Sequence, residues 1–344
     1  MAGAAPILVG ILYDFPQHDG GAGFEEAVRL GLGEVELDRP VELVARQAAG
    51  LPGGTALDVR EKYFELIDAG VLAIIGPSIS DNAFVVREVC DAMEVPLVNY
   101  TGGERTRSEF MFHYQVGSLA EEPIVLANHL VARGLRSAGV IHDRSPVGQG
   151  YAGSFEAAAE AAGIDVLGRS AISPLADEAG SVVDRLRVAK PEALVYLGLG
   201  AAARPVSVAL EQAGWDVPVV ANSALMFGYA RKDWRAGWQG WSYVDTVSDG
   251  NRRRRALKER SPKTAAGPVG VAAYDIGRLV GEGLARAVHL TGPGVKDGLE
   301  QVKRLPAASG LDGTIMGFGP WDHAALKGSY LVLRQWKDGK TVEL

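Results

Sequence analysis

Three segments combine hydroxyls, small residues and open backbone in a way that suits an anion. Gly76-Pro77-Ser78-Ile79-Ser80-Asp81-Asn82 follows an apolar run and leads into a helical pattern. Asn99-Tyr100-Thr101-Gly102-Gly103-Glu104 follows a second run, and Tyr13-Asp14-Phe15-Pro16-Gln17-His18-Asp19-Gly20-Gly21 follows the first run of the chain. In open α/β sheets ligands sit at the carboxyl ends of strands, where these segments fall. Ser80 and the N–H groups beside it would stand at a helix N-terminus, with a hydroxyl from Thr101 and open backbone at Gly102 and Gly103. That set suits a carboxylate. Charge-assisted hydrogen bonds contribute about 1.5–3 kcal/mol each, so two or three anchor a small acid. The alternative is that Ser78 or Ser80 only caps a helix.

A second glycine-rich segment, Gly198-Leu199-Gly200-Ala201-Ala202-Ala203, fits a dinucleotide-binding turn after a strand. Such a site needs an acid at the end of the next strand. Here Asp216 precedes the run Val217–Ala221, and Ala221-Asn222-Ser223 ends it. The competing reading is a tight strand-to-helix turn in which small residues let backbone approach closely. Other catalytic signatures are missing: no Gly-x-Ser-x-Gly, no phosphate loop ending in Gly-Lys-Ser/Thr, and no His-Glu-x-x-His. One cysteine and six scattered histidines give no metal-ligand spacing. His142–Asp143 and Asp322–His323 read as strand-end or turn pairs. No catalysis, cofactor or metal is expected.

The elements that must position these residues alternate. Strands are expected at Ile7–Tyr13, Val41–Arg46, Leu72–Gly76, Pro96–Asn99, Ser137–His142, Ile164–Ser170, Ala193–Gly198 and Val217–Ala221. Most are near-continuous apolar runs, as parallel strands covered on both faces require. Helical patterns lie between them. Phe24 to Leu32 aligns Phe24, Ala27, Val28 and Leu32; Thr55 to Ala69 points Leu57, Phe64 and Ile67 inward. Ser154–Ala162, Ser181–Val188, Val206–Ala213 and Pro268–Leu290 complete the helices. This βαβ repetition predicts an α/β protein of parallel sheets flanked by helices, in two runs that break near Tyr114–Glu122.

Composition agrees. At roughly 150 residues per domain, 344 residues allow about two domains. Apolar residues are 47%, charged residues 22%, and the net charge is -7. The balance excludes a disordered chain and argues against nucleic acid as partner. The basic run Arg252–Arg255 is short and without interleaved aromatics, so it reads as a helix face. Trp234, Trp238 and Trp241 form either a partner surface or packing at a domain edge. No stretch is long and apolar enough for a transmembrane helix. Residues 1–6 hold no basic leader region, which as written reads as cytoplasmic; the alternative is a periplasmic protein whose leader was removed.

Several blocks carry a resemblance. Val71-Leu72-Ala73-Ile74-Ile75-Gly76-Pro77-Ser78-Ile79-Ser80, then Val95-Pro96-Leu97-Val98-Asn99-Tyr100-Thr101, resemble the branched-chain amino-acid binding protein family of ABC importers, with the type I periplasmic binding protein fold. The likeness continues through Ala138–Tyr151, Lys190–Tyr196, Met316–Trp321 and Leu326–Ser329, in order, over nearly the whole chain.

The resemblance implies two Rossmann-like lobes, 1–118 with 249–322 and 119–248 with 323–344. They would be joined by three crossovers near Gly117–Glu121, Val247–Asn251 and Trp321–Ala324, and would close around a ligand. It also implies site residues. Ser80 corresponds to the hydroxyl that binds the ligand carboxylate, and Thr101 to Gly103 to the adjacent contact segment. Val147, just before a Gly148-Gln149-Gly150 turn, stands where the family has an aromatic, and Gly200 where it has another. Ser223 stands in place of the acid that pairs with the ligand ammonium. A buried ammonium without an anion is strongly disfavoured, so a plain α-amino acid is not expected. With Tyr13, Phe15, Met226 and Phe227 nearby, these smaller residues imply a carboxylate with an aromatic or alicyclic body. The expected role is a binding protein serving an ABC permease. The alternatives are a cytoplasmic sensor acting on an intracellular protein partner and, on Gly198–Ala203, a nucleotide-dependent enzyme.

Overall fold

A computed structural model describes residues 5–14, 21–226 and 237–344. The chain divides into two compact units, Met1–Val116 with Val247–Tyr330, and Gly117–Thr246 with Leu331–Leu344.

The first unit is built on a five-stranded parallel sheet ordered β2-β1-β3-β4-β5. Its strands are β1 (Ile7–Tyr13), β2 (Val41–Gln47), β3 (Ala73–Ile75), β4 (Leu97–Asn99) and β5 (Met111–His113). The helices α1 (Ala22–Leu32), α2 (Ala56–Asp68) and α3 (Ser80–Met93) connect the first four strands. Leu12, Tyr63, Leu66, Ile74, Val86 and Leu97 form one core beneath α2 and α3.

The second unit repeats this plan. Its strands β6 (Ser137–Asp143), β7 (Asp165–Ile172), β8 (Ala193–Leu197), β9 (Val219–Ala221) and β10 (Ser242–Asp245) run parallel in the order β7-β6-β8-β9-β10. The helices α4 (Glu121–Ala132), α5 (Pro146–Ala162), α6 (Gly180–Val188) and α7 (Ala203–Gln212) alternate with them. In both units the first strand of the run lies between the second and third. This order creates a topological switch point at β1/β3 and another at β6/β8, where crevices open at the strand ends.

The remaining helices α8 (Arg252–Arg260), α9 (Pro268–Arg286) and α10 (Gly292–Glu300) belong to the first unit, with a small antiparallel sheet of β11 (Leu305–Pro306), β12 (Ile315–Met316) and β13 (Leu326–Lys327). The hairpin β14 (Val332–Lys337) and β15 (Lys340–Glu343) extends the second sheet antiparallel to β10.

Three expectations change. On α2 the buried stripe is Val59, Tyr63 and Leu66, while Leu57 is 64% exposed. Thr55 caps the helix by accepting the Asp58 N–H, which sets the helix start and turns Leu57 outward. α5 begins at Pro146, capped by Ser145, so Gly148-Gln149-Gly150 is its first turn rather than a separate turn. The last passage between units falls at Tyr330–Leu331, later than Trp321–Ala324. Residues 323–326 are tied to the first unit: Ala324 bridges His113, and Gln115 both donates to and accepts from the Leu326 backbone.

Candidate functional site

At the first switch point Asp14, directly after β1, is fully buried. Its Oδ1 accepts the Ser78 N–H at 3.1 Å and the Ser78 hydroxyl at 2.7 Å. Its Oδ2 accepts the Ile79 N–H at 2.8 Å and the Asn82 amide at 3.0 Å. Burial pushes this carboxyl above the usual range, while the bonds from Ser78, Asn82 and Ile79 pull it back. Asp14 and Ser78, both candidates from the sequence, are therefore spent on each other. They lock the loop that delivers α3.

Ser80 is the first residue of that helix and is buried. Its hydroxyl makes no hydrogen bond among the described residues. A side chain at Gly103 would stand 2.8 Å from the Ser80 Oγ, so the glycine keeps that approach open. Ser80 and Gly103 are brought together.

Thr101 is turned the other way. Its hydroxyl donates to Asn99 Oδ1 at 2.9 Å and accepts the Gly103 N–H at 3.2 Å. The Thr101 carbonyl accepts from His113 Nε2 at 2.8 Å, and His113 Nδ1 accepts from Arg107 Nε at 3.2 Å. A carbonyl only accepts and a guanidinium only donates, which assigns the tautomer. Burial, reinforced by the Arg107 charge, pushes the His113 imidazole down to about 3. The ring is a neutral brace under the Thr101–Gly103 loop, and sequence reasoning missed it because a lone histidine at a strand end carries no signal.

Tyr13 and Tyr100 are core residues here. Tyr13 donates to the Gly21 carbonyl at 3.1 Å and meets Phe24 edge-on, and Phe24 stacks on Tyr100 at 5.1 Å. Gly102 is half-buried. Phe15, Phe227 and Trp234 lie outside the described residues.

At the second switch point Asp143, the last residue of β6, accepts the Leu199 N–H at 2.5 Å and the Tyr196 hydroxyl at 3.4 Å. Its carboxylate lies where a side chain on Gly198 would go. Gly200 has φ +89, a conformation side chains disfavour. Asn222 clamps the same loop, accepting the Gly198 N–H at 3.2 Å and donating to its carbonyl at 2.9 Å. The Gly-x-Gly segment is thus a tight turn built around an internal carboxylate.

Ser223 follows β9 on a short 3-10 turn. Beside it stands Glu122 from the first turn of α4, fully buried. Glu122 accepts from the Ser223 N–H at 2.6 Å, the Ser223 hydroxyl at 2.9 Å, the Tyr151 hydroxyl at 2.7 Å and the Ser118 N–H at 2.7 Å. Burial pushes its carboxyl up to about 7 against the pull of these bonds. A buried acid thus stands beside Ser223, from 101 residues away in sequence. An acid in the first turn of a helix is so common that nothing local could have singled it out. Val147 is buried at the start of α5, and Met226 packs against the core of the second unit.

The other candidate surfaces are structural. Arg253, Arg260 and Arg278 converge on Glu34 and the Tyr274 ring. Burial opposes ionisation of Glu34, but Tyr274, Arg260, Arg253 and Arg278 together hold its carboxyl below the usual range. Trp238 and Trp241 are buried and stacked at 6.3 Å, so they are core residues rather than a partner surface.

Two doubly wound parallel units with strand-end crevices define a class of two-domain ligand-binding proteins. The chain belongs to the periplasmic binding protein family, whose model matches residues 6–340. The fold is similar to a type 1 periplasmic binding protein from Bordetella pertussis Tohama I, with 15% identity, TM-score 0.84, and 99% of this chain and 100% of the other covered. It is also similar to a leucine-binding protein from Thermotoga maritima MSB8, with 15% identity, TM-score 0.80, and 98% and 97% covered. An ABC transporter substrate-binding protein from Desulfitobacterium hafniense, in complex with Leu, matches at 20% identity and TM-score 0.78, with 99% and 100% covered. No curated protein sequence matches the chain. The role of this fold is ligand binding, and among the described residues no helix is long and apolar enough to cross a membrane.

Proposed function

We infer that the chain binds a small carboxylate with a bulky apolar body, aromatic or alicyclic, and that Ser80 with the first turn of α3 holds the carboxylate. The observation carrying this reading is the unpartnered Ser80 hydroxyl beside Gly103, at the start of a 14-residue helix. The helix end adds partial positive charge and unbonded N–H groups. The neighbouring acid Asp14 is fully engaged with its own loop, so it does not repel the incoming anion as a free charge would. Gly102 is the second contact of the first unit. Thr101 acts through the loop rather than by its hydroxyl. On the second unit Val147, Gly200, Ser223 and Met226 remain the proposed contacts. None carries a charge, which fits an apolar ligand body. By analogy with the transporter proteins it resembles, the bound acid would be handed to an ABC permease outside the cytoplasmic membrane.

Calorimetry tests the reading with leucine, benzoate and cyclohexanecarboxylate, each set beside its primary amide. Acids should bind and amides should not. Ser80→Ala should weaken the acids about ten- to a hundredfold, the loss of one hydrogen bond to a charged group. Equal binding of acid and amide, or an unaffected Ser80→Ala variant, would overturn it.

A further inference from the structure

Among the described residues Trp321 is the most exposed large apolar side chain, at 98%. By contrast Trp238 and Trp241 are buried, and Trp215 and Trp336 are half-buried against the core of the second unit. The exposure is not that of a frayed loop. Trp321 stands at the tip of a two-residue turn, in which Gly319 and Asp322 exchange N–H to carbonyl bonds at 2.9 and 3.0 Å. Both arms of the turn are buried on one ring of the first unit. Phe318 meets Phe112 of β5 edge-on at 4.8 Å, and His323 stacks on the same ring at 4.0 Å. Lys303 donates to the Phe318 carbonyl ahead of the tip, and Lys327 to the Ala324 carbonyl behind it. The fold therefore presents the indole on a braced turn and leaves the ring itself outside.

The tip also carries a collar of cations. Lys303, Lys327 and Arg107 approach it, against one carboxylate, Asp322, so positive charge is in excess by two. Burial opposes ionisation of Asp322, but Lys327, the Ala324 N–H and Arg107 hold its carboxyl below the usual range. Glu300, close by through His323, is spent on Lys296 at 2.8 Å and on His323 at 3.1 Å. This local excess stands out on a chain whose net charge is -7.

We propose that the Gly319–Asp322 turn is a membrane-contact point, whose indole enters the headgroup layer of an anionic phospholipid surface. Tryptophan favours that layer because its ring is apolar and its N–H polar. Lysine and arginine beside it are drawn to the lipid phosphates. A protein partner fits less well. A stable protein interface takes about 800 Å² from each side. Here residues 317–318 and 323–326 are buried, so no apolar patch spreads from the indole. A fluid surface receives a single knob without a shaped socket. The contact goes beyond ligand binding and does not depend on which acid is bound.

Cosedimentation of the full chain with vesicles tests this, with mixed phosphatidylglycerol–phosphatidylcholine vesicles set against phosphatidylcholine alone. Two surplus charges should favour the anionic vesicles by about tenfold or more at low salt. That advantage should vanish in about 1 M salt. Trp321→Ala should weaken binding to the anionic vesicles about tenfold. Lipids brominated on their acyl chains should quench part of the wild-type tryptophan fluorescence, and the variant should lose that quenching. The quenching of the wild type needs no variant, so it answers the question even if Trp321→Ala fails to fold. No binding to either vesicle, equal binding to both, absence of quenching, or undiminished binding by Trp321→Ala would overturn the proposal. So would a Trp321→Ala effect seen only when a membrane protein is present in the bilayer, because the partner would then be that protein.

Discussion

Asp14 and Asp143 occupy matching places in the two units. Each ends or follows the first strand of its sheet, and each accepts an N–H from the loop after the third strand. The same topology puts the same demand on both. A switch point leaves loop N–H groups pointing into a crevice, and a carboxylate from the neighbouring strand satisfies them. The difference lies in what remains. Asp14 takes two N–H groups, a hydroxyl and an amide, and leaves the start of α3 with an uncommitted serine. Asp143 is packed against Gly198, in a loop that ends several residues before α7 begins. The first switch point is therefore braced around an uncommitted serine, and the second is filled by its own turn.

The most severe break in this comparison is Asp14→Ala. It strands buried donors on Ser78, Ile79 and Asn82, and should cost about 3–5 kcal/mol in urea unfolding. Next comes His113, which braces only the first unit. Its imidazole is held near 3 against an ordinary 6.5, so between those values the folded state binds fewer protons than the unfolded one. Its contribution is present above about pH 6.5 and is lost as pH falls toward 3. A His113→Asn variant should flatten that part of the stability–pH curve, by something on the order of 2–4 kcal/mol at pH 4. Asp143→Ala should cost less than Asp14→Ala, about 1–3 kcal/mol. Gly198→Ala should cost about as much by crowding the Asp143 carboxylate, and the double variant should cost less than the sum. If Asp143→Ala proves the costlier of the two aspartate variants, the contrast between a braced and a filled crevice is wrong. The smallest effect is expected from Ser80→Ala, within about 0.5 kcal/mol in thermal unfolding, because its hydroxyl holds nothing in place.

Much of this was legible in one dimension. Most strand runs were near-continuously apolar, so eight parallel strands could be placed, and the segments after them pointed to the strand ends. Ser80 and Gly103 came from those segments. Helix phase was less secure: Leu57 reads as a core residue until the cap at Thr55 sets where the helix starts. Thr101 was assigned a hydroxyl for the ligand, but the direction of a hydroxyl proton depends on Asn99 Oδ1, which only folding brings within 2.9 Å. The glycines at 198 and 200 read as a tight turn rather than a nucleotide site because no acid ends the next strand, but the Asp143 carboxylate packed against Gly198 was not legible.

The sequence by itself determined the alternating architecture, because apolar periodicity and turn chemistry act over neighbouring residues. It also determined which strand ends carry hydroxyls. Only the tertiary structure decided the electrostatics. Ser223 looked like a lost acid because the chain shows a serine there. The structure sets a buried acid beside it, Glu122, 101 residues earlier, and the two meet because α4 and β9 belong to one unit. Charge and hydrogen-bond direction act through space at a few ångströms, and no local pattern records which distant residue will fill that space.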